Sequence, residues 1–488
     1  MIQNSSTCFL EDSCNQSIQS NIVTVMTDSA MEGEGMARGA HILVIPYPIQ
    51  GHINPMLQFS KRLASKGLQV TLVTTIAISK SMQILPNKVN IELISDGYDK
   101  GEKASLEYHL ESFKTVVSQS LAELIKKKNI SKKPAKFLIY DSIMPWALDI
   151  AQELGLGGAP FFTHSSSVAA IYYHASHGTL KLPLEGPVIS IPSMLMLEVT
   201  DFPSFVSDVS SYPTLLKLAL NRFSNFEKAK WLLFNTFDQL EDEVLSWMRS
   251  QWPVKAVGPI IPSMYLDKRL EDDRDYGLSL FKPNLDACQT WLDQKEAASV
   301  VYVSFGSLAS LGEEQMEEIS QGLKRCNAHF IWVVRESEQQ KLPTNFIEET
   351  TEMGLVVIWC NQLQVLAHQA VGCFFTHCGW NSTLEALSLG VPMVAMPQWT
   401  DQTTNSKFIA DVWKVGLRVK KDESGIVRRE EIALCIREIM EGERGNEMRK
   451  TALRWKELAK EAVDEGGSSN KNIEEFVAEL AEVEGDAS

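Results

Sequence analysis

Short apolar runs, each passing into a polar turn and then a stretch of helical period, recur in two separate parts of this chain, and that alternation leaves few folds open. In the first part the runs are His41–Pro46, Val70–Thr74, Phe137–Tyr140 and Ala159–Thr163. In the second they are Val300–Ser304, Phe330–Val334, Leu355–Ile358, Gly372–Thr376 and Met393–Met396. Runs that are apolar on both faces suit parallel strands covered by helices on each side. The expected fold class is α/β, with two doubly wound, Rossmann-like domains. Length agrees, because 488 residues exceed what one core of roughly 250–300 residues organises. The expected divisions are 39–257, a linker at 258–287 opened by Gly258-Pro-Ile-Ile-Pro262, a second domain at 288–465, and a terminal helix within 466–488. That helix carries Ile473, Phe476, Val477 and Leu480 on one face.

Residues 1–38 have no apolar period and no basic residue before Arg38, so they read as a disordered tail in which Met26, Met31 and Met36 are alternative starts. They fit neither a signal peptide nor a transit peptide. No run approaches the 18 or so apolar residues of a membrane span. Eight cysteines without paired spacing beyond Cys373/Cys378 suit reduced thiols, and the expected location is the cytosol. A net charge of −16 argues against nucleic acid and anionic membranes, both of which need a basic face.

The densest chemistry lies between Trp359 and Gln402. An apolar strand, Gly372–Thr376, leads into His377-Cys378-Gly379-Trp380-Asn381, and a helix is expected from about Ser382. The first amides of a helix lack partners and carry the positive end of its dipole, so a turn containing Gly379 offers an anion close approach. The same residues admit a plainer reading: Ser382-Thr383-Leu384-Glu385 matches a capping box, and Trp359 and Trp399 suit a core. His368, Cys373, His377 and Cys378 do not have zinc-ligand spacing, and no metal site is expected.

The stretch resembles the signature box of plant family 1 UDP-sugar glycosyltransferases in its length, opening Trp, HCGWNSTLE core and closing DQ. Similarity extends from about residue 39 to 483 through PYPIQGHINP, YDSIMPWALDIA, NTFDQLE, VVYVSFGS and GGSSNKNI. The resemblance implies a GT-B architecture, two Rossmann-like domains facing a cleft, with the terminal helix crossing back onto the first. It implies inverting transfer of glucose from UDP-glucose to a hydroxyl or carboxyl of a small apolar acceptor such as a phenolic, terpenoid or steroid, giving a β-glucoside. UDP-glucose would be a co-substrate, with no cofactor, no metal and no further partner, and the protein would be a monomer.

Position by position, His52 falls on the family's catalytic base and Asp141 on its partner. A histidine is well suited to take a hydroxyl proton, and a carboxylate behind it fixes the tautomer. Trp359 matches the residue stacked on uracil, and the Cys360 backbone the reader of its edge. Gln362 and Glu385 match ribose contacts. Ser307, His377, Gly379, Asn381 and Ser382 match the diphosphate site. Thr163, Trp380, Asp401 and Gln402 match sugar contacts, and Gln402 in place of His points to glucose. The acceptor pocket is expected from the proline-rich loops Leu182–Phe205 and from Tyr172, Tyr173, His174 and His177. Glu271–Asp275 reads as solvated charge in an exposed loop.

Other classes fit less well. A binding protein without activity would have no need of the His52/Asp141 pair. An oxidoreductase or epimerase would want G-x-G-x-x-G where this chain has Ile49–Asn54, and a hydrolase would want G-x-S-x-G.

Overall fold

The computed structural model describes residues 39–80, 89–97, 105–277 and 285–485. The expected tail and part of the expected linker, 278–284, lie outside them. The first sheet contains β1 (His41–Ile45), β2 (Gln69–Thr75), β3 (Val89–Ile94), β4 (Ala135–Asp141), β5 (Gly157–Phe162), β8 (Leu232–Phe234) and β9 (Val254–Ala256). Its seven strands are parallel, in the order β3-β2-β1-β4-β5-β8-β9. A small antiparallel pair, β6 (Val188–Ile189) and β7 (Leu197–Glu198), stands apart.

The second sheet contains β10 (Val300–Ser304), β11 (His329–Val333), β12 (Gly354–Val357), β13 (Val371–Thr376), β14 (Met393–Ala395) and β15 (Gly416–Arg418). It is parallel throughout, in the order β12-β11-β10-β13-β14-β15. Strand order reverses beside β1/β4 in one sheet and β10/β13 in the other. Ligands of open α/β sheets bind outside such reversals, at the carboxyl ends of the strands.

The terminal helix, Ser468–Gly485, packs Phe476 against Trp231 and Phe137 of the first half, with ring centroids 4.9 and 5.8 Å apart. Ile473 and Leu480 join the same buried cluster. No helix among the described residues is long and apolar enough to cross a membrane.

Two local expectations are corrected. Asn54-Pro55 reads in the sequence as a cap followed by a proline at the first helical position, but the first helix runs from Gln50 to Ser65, and Ile49 precedes it in an extended conformation. Pro55 is tolerated inside because its missing N–H leaves one carbonyl, that of Gly51, without its i+4 donor. In the acidic run, Asp273 is not solvated. It is buried, accepts from Ser263 N at 2.7 Å and from Lys61 Nζ at 3.0 Å, and also holds the Gln58 amide. Lys61 lies on the buried side of the first helix and needs a counter-ion there, which Asp273 supplies. Glu271, Asp272, Arg274 and Asp275 are exposed.

Candidate active site

The parallel pairing of β1 with β4 sets two loops side by side. His52, in the first turn of the helix that follows β1, places Nδ1 2.5 Å from Asp141 Oδ2 at the end of β4. Asp141 is fully buried, and its oxygens also accept from Tyr47 N at 3.2 Å and Ile143 N at 3.3 Å. A carboxylate so placed makes Nδ1 the protonated nitrogen and leaves Nε2 basic. Thr163 Oγ1, just past β5, stands 3.3 Å from the same Nδ1.

Across the cleft, β10 and β13 present a second pair of loops. Arg335 donates to the carbonyls of Ser307 and Ala309 and so shapes the loop after β10. The loop after β13 turns through Cys378, whose φ of +65° is left-handed. A Cβ on Gly306 or on Gly379 would come within 2.6 Å of His377 Nε2, so both glycines make room for that ring. Burial lowers the His377 pKa to about 4, so the imidazole is neutral here.

The next helix begins at Trp380 with Gly379 as its N-cap, two residues before the expected start, and the capping box is not formed. Ser382 and Glu385 are instead free to serve the cleft. Glu385 Oε1 accepts from Tyr276 Oη at 2.8 Å and Oε2 from Gln362 Nε2 at 2.7 Å. Burial raises its pKa to about 7, against these two hydrogen bonds.

Between the halves lies a cavity of about 470 Å³. Thr163, Ser307, Trp359, Cys360, Gln362, His377, Gly379, Trp380, Asn381, Ser382, Glu385, Asp401 and Gln402 border it together with His52. Asp141 does not border it and lies behind His52. Trp359 and Trp399 are half-buried at the cavity and not core residues. The Trp380 indole is occupied: it donates to Asn235 O at 2.8 Å and packs on Trp413, which leaves its backbone for a ligand. Gln402 Oε1 accepts from Gln398 N at 2.9 Å and Trp399 N at 3.2 Å, so its amide N–H₂ is the end left for a ligand. Burial raises the pKa of Asp401, and Thr400 and Asn405 bond its two oxygens.

The first-domain wall differs from expectation. Of Leu182–Phe205 only Phe205 borders the cavity, and of the aromatic group only Tyr172 does. Tyr173 and His174 stack around Trp247 and Trp252 on the other side of their helix, and His177 lies on Tyr173. A helix at 3.6 residues per turn cannot turn four near-consecutive side chains to one face. The wall is formed by Leu106, Leu110, Ile143, Val168, Leu215, Leu218 and Ala219, with His164 and Arg222 among them. Neither His164, Arg222 nor Tyr276 lies in a motif of its own. Among the described residues, no group of three or more His, Cys, Asp or Glu is placed to hold a metal ion.

Known proteins share this arrangement. The family model for UDP-glucoronosyl and UDP-glucosyl transferase matches residues 40–457. Mogroside I-E synthase of Siraitia grosvenorii is 54% identical over 445 residues, covering 90% of this chain and 98% of that protein. UDP-glycosyltransferase 74E2 of Arabidopsis thaliana is 50% identical, covering 91% and 99%. The crystal structure of Os79 from O. sativa in complex with UDP matches at a TM-score of 0.85 and 39% identity, over 90% of this chain and 100% of that one. Os79 has also been solved with U2F and trichothecene. Two facing parallel sheets, a cleft between their carboxyl ends and this extent of likeness lead to one conclusion: the chain belongs to the UDP-glucoronosyl and UDP-glucosyl transferase family, has the GT-B fold, and is a glycosyltransferase that moves a sugar from a UDP-sugar to an acceptor.

Proposed function

We propose that the protein transfers glucose from UDP-glucose, with inversion, to a hydroxyl or carboxyl of a small apolar acceptor, giving a β-glucoside. The contact between His52 Nδ1 and Asp141 Oδ2 carries this reading. His52 Nε2 takes the acceptor proton as the acceptor oxygen bonds to the anomeric carbon, and the bond from that carbon to the β-phosphate oxygen breaks, its electron pair leaving with UDP. Asp141 holds the tautomer and stabilises the imidazolium. One displacement of an α-linked donor gives the β product.

On the donor side, Trp359 stacks on uracil and the Cys360 backbone meets its edge, while Gln362 and Glu385 take the ribose. The amides that open the helix at Trp380, with Ser307, His377, Asn381 and Ser382, receive the diphosphate, and Gly379 keeps that approach open. Asp401, Gln402, Thr163 and the Trp380 backbone hold the glucose. The protein works as a cytosolic monomer on an acceptor of phenolic, terpenoid or steroid type.

The test is His52→Ala with an alcohol acceptor. Transfer falls by about 10²–10⁴-fold while UDP binding persists; turnover like that of the wild type would remove His52 from the role of base.

A further inference from the structure

Two arginines among the described residues are buried, Arg222 and Arg335. Arg335 lies 3.9 Å from Glu338 and donates to two carbonyls. Arg222 has no carboxylate within ion-pair distance among the described residues. The buried Lys61 pairs with Asp273. A buried guanidinium without a counter-ion is costly, and such a group calls for an anion that arrives from elsewhere.

The groups in direct contact with it are neutral, and the carboxyls of Asp141 and Asp401 act on it only from beyond ion-pair distance. Nε donates to Ala219 O at 2.8 Å, a helix-end contact that occupies one of five N–H donors. Nη1 meets His164 Nε2. His164 Nδ1 lies 3.0 Å from Ser165 O and donates to it, so Nε2 is the unprotonated acceptor and the ring carries no charge. The carbon of the guanidinium lies 5.2 Å from the centroid of the Tyr172 ring. The remaining donors have no partner among the described residues, and Arg222 borders the cavity beside Val168, Leu215 and Leu218. The acceptor wall is thus apolar with one cation set in it.

Resting on the glucosyltransferase reading, we propose that the acceptor is a small apolar carboxylic acid and that Arg222 binds its carboxylate. One oxygen of that group, already ionised and so needing no proton transfer to His52, bonds to the anomeric carbon as the bond to the β-phosphate oxygen breaks, and the electron pair of the broken bond leaves with UDP. A planar fork matches a carboxylate with two parallel hydrogen bonds, and a site shielded from water strengthens them. The chain as a whole carries a net charge of −16, which repels such an acceptor at long range. A local cation is therefore needed for its capture.

The experiment measures calorimetric binding of arylalkanoic acids and their methyl esters to UDP-saturated wild type, Arg222→Met and Arg222→Lys, followed by UDP-glucose turnover of the acids alone, since the esters carry no oxygen that can accept glucose. Wild type prefers each acid over its ester by about ten- to a hundredfold, as loss of a hydrogen bond to a charged group implies. Arg222→Met abolishes the preference and Arg222→Lys keeps part of it, with UDP affinity unchanged. An acid bound no better than its ester by wild type, or a preference that survives in Arg222→Met, overturns the proposal. If Arg222→Met does not fold, as loss of UDP binding would show, the acid-to-ester ratio of Arg222→Lys against wild type decides: an unchanged ratio overturns the proposal. If glucose is transferred to nothing, the glucosyltransferase reading fails, and the binding ratios still decide the role of Arg222.

Discussion

Asn381 donates its side-chain amide to the carbonyl oxygen of Gly51 at 2.7 Å, across the cleft and 330 residues away in sequence. Gly51 O is the carbonyl that Pro55 leaves without a helical donor. The loop proposed to meet the donor phosphates is thereby tied to the helical turn that carries His52.

This coupling is measurable. Asn381→Ala should lower kcat/KM by about 5- to 30-fold, the worth of one to two hydrogen bonds. In a Pro55→Ala background, residue 55 regains an N–H for Gly51, so the same Asn381 substitution should cost less. A double-mutant cycle of transfer rates reads the difference, and strict additivity would remove the coupling.

The pKa of about 7 at Glu385 makes donor binding depend on pH near neutrality. If the ionised carboxylate accepts from the ribose hydroxyls, UDP affinity should fall as pH drops below about 7, and Tyr276→Phe should move that midpoint upward by removing a bond that favours ionisation. Stability runs the opposite way. The folded value is raised above the ordinary 4.5, so the contribution of this acid is fully present below 4.5 and is lost as pH rises through about 7. Glu385→Gln should therefore raise Tm at pH 8, by about 2–4 °C per kcal/mol recovered, and gain little at pH 5. UDP titrations and thermal melts from pH 5 to 8.5 check both.

Gln402 is best tested with glutamate. Its Oε1 holds the 398–399 backbone, so Gln402→Glu keeps that anchor and removes only the N–H₂ to which the sugar contact is assigned by the proposal. Glucose transfer should fall about tenfold or more, with UDP affinity nearly unchanged. Gln402→His would also release the loop, so a competition between UDP-glucose and UDP-galactose should include both variants. Retained glucose preference in both would count against Gln402 as the sugar selector.

Asp273→Ala should be strongly destabilising, by about 3–5 kcal/mol, because it strands the buried Lys61 and leaves Ser263 N unbonded. Urea unfolding measures it. A change below about 0.5 kcal/mol, ordinary for an exposed loop, would return this residue to solvated charge.

Nine of the thirteen strands described in the two sheets were legible because apolar runs and helical periods are local properties, whereas β3, β8, β9 and β15 were not read. Val300–Ser304 reads as a strand and is one, and Met393–Met396 errs only at its last residue. That Trp359–Gln402 belongs to a site was legible for a related reason: the residues of this stretch that border the cavity lie on the consecutive strand ends and helices of one sheet. Local signals misled where a distant group changed their meaning. Asn54-Pro55 looks like a helix start until Asn381 is seen bonding Gly51, and Ser382–Glu385 looks like a cap until Tyr276 and Gln362 are seen bonding Glu385.

By itself the sequence determined two helix-covered parallel sheets and pointed to the Trp359–Gln402 stretch that borders the cavity, since both are written in spacings of a few residues. Only the tertiary structure decided that His52 meets Asp141 across 89 residues, that Asp273 is buried on Lys61, and that Arg222 borders the cavity with no carboxylate in ion-pair contact among the described residues. Such meetings depend on which loops the sheet order and the closed cleft bring together, and no periodicity within a segment encodes the partner that arrives from another.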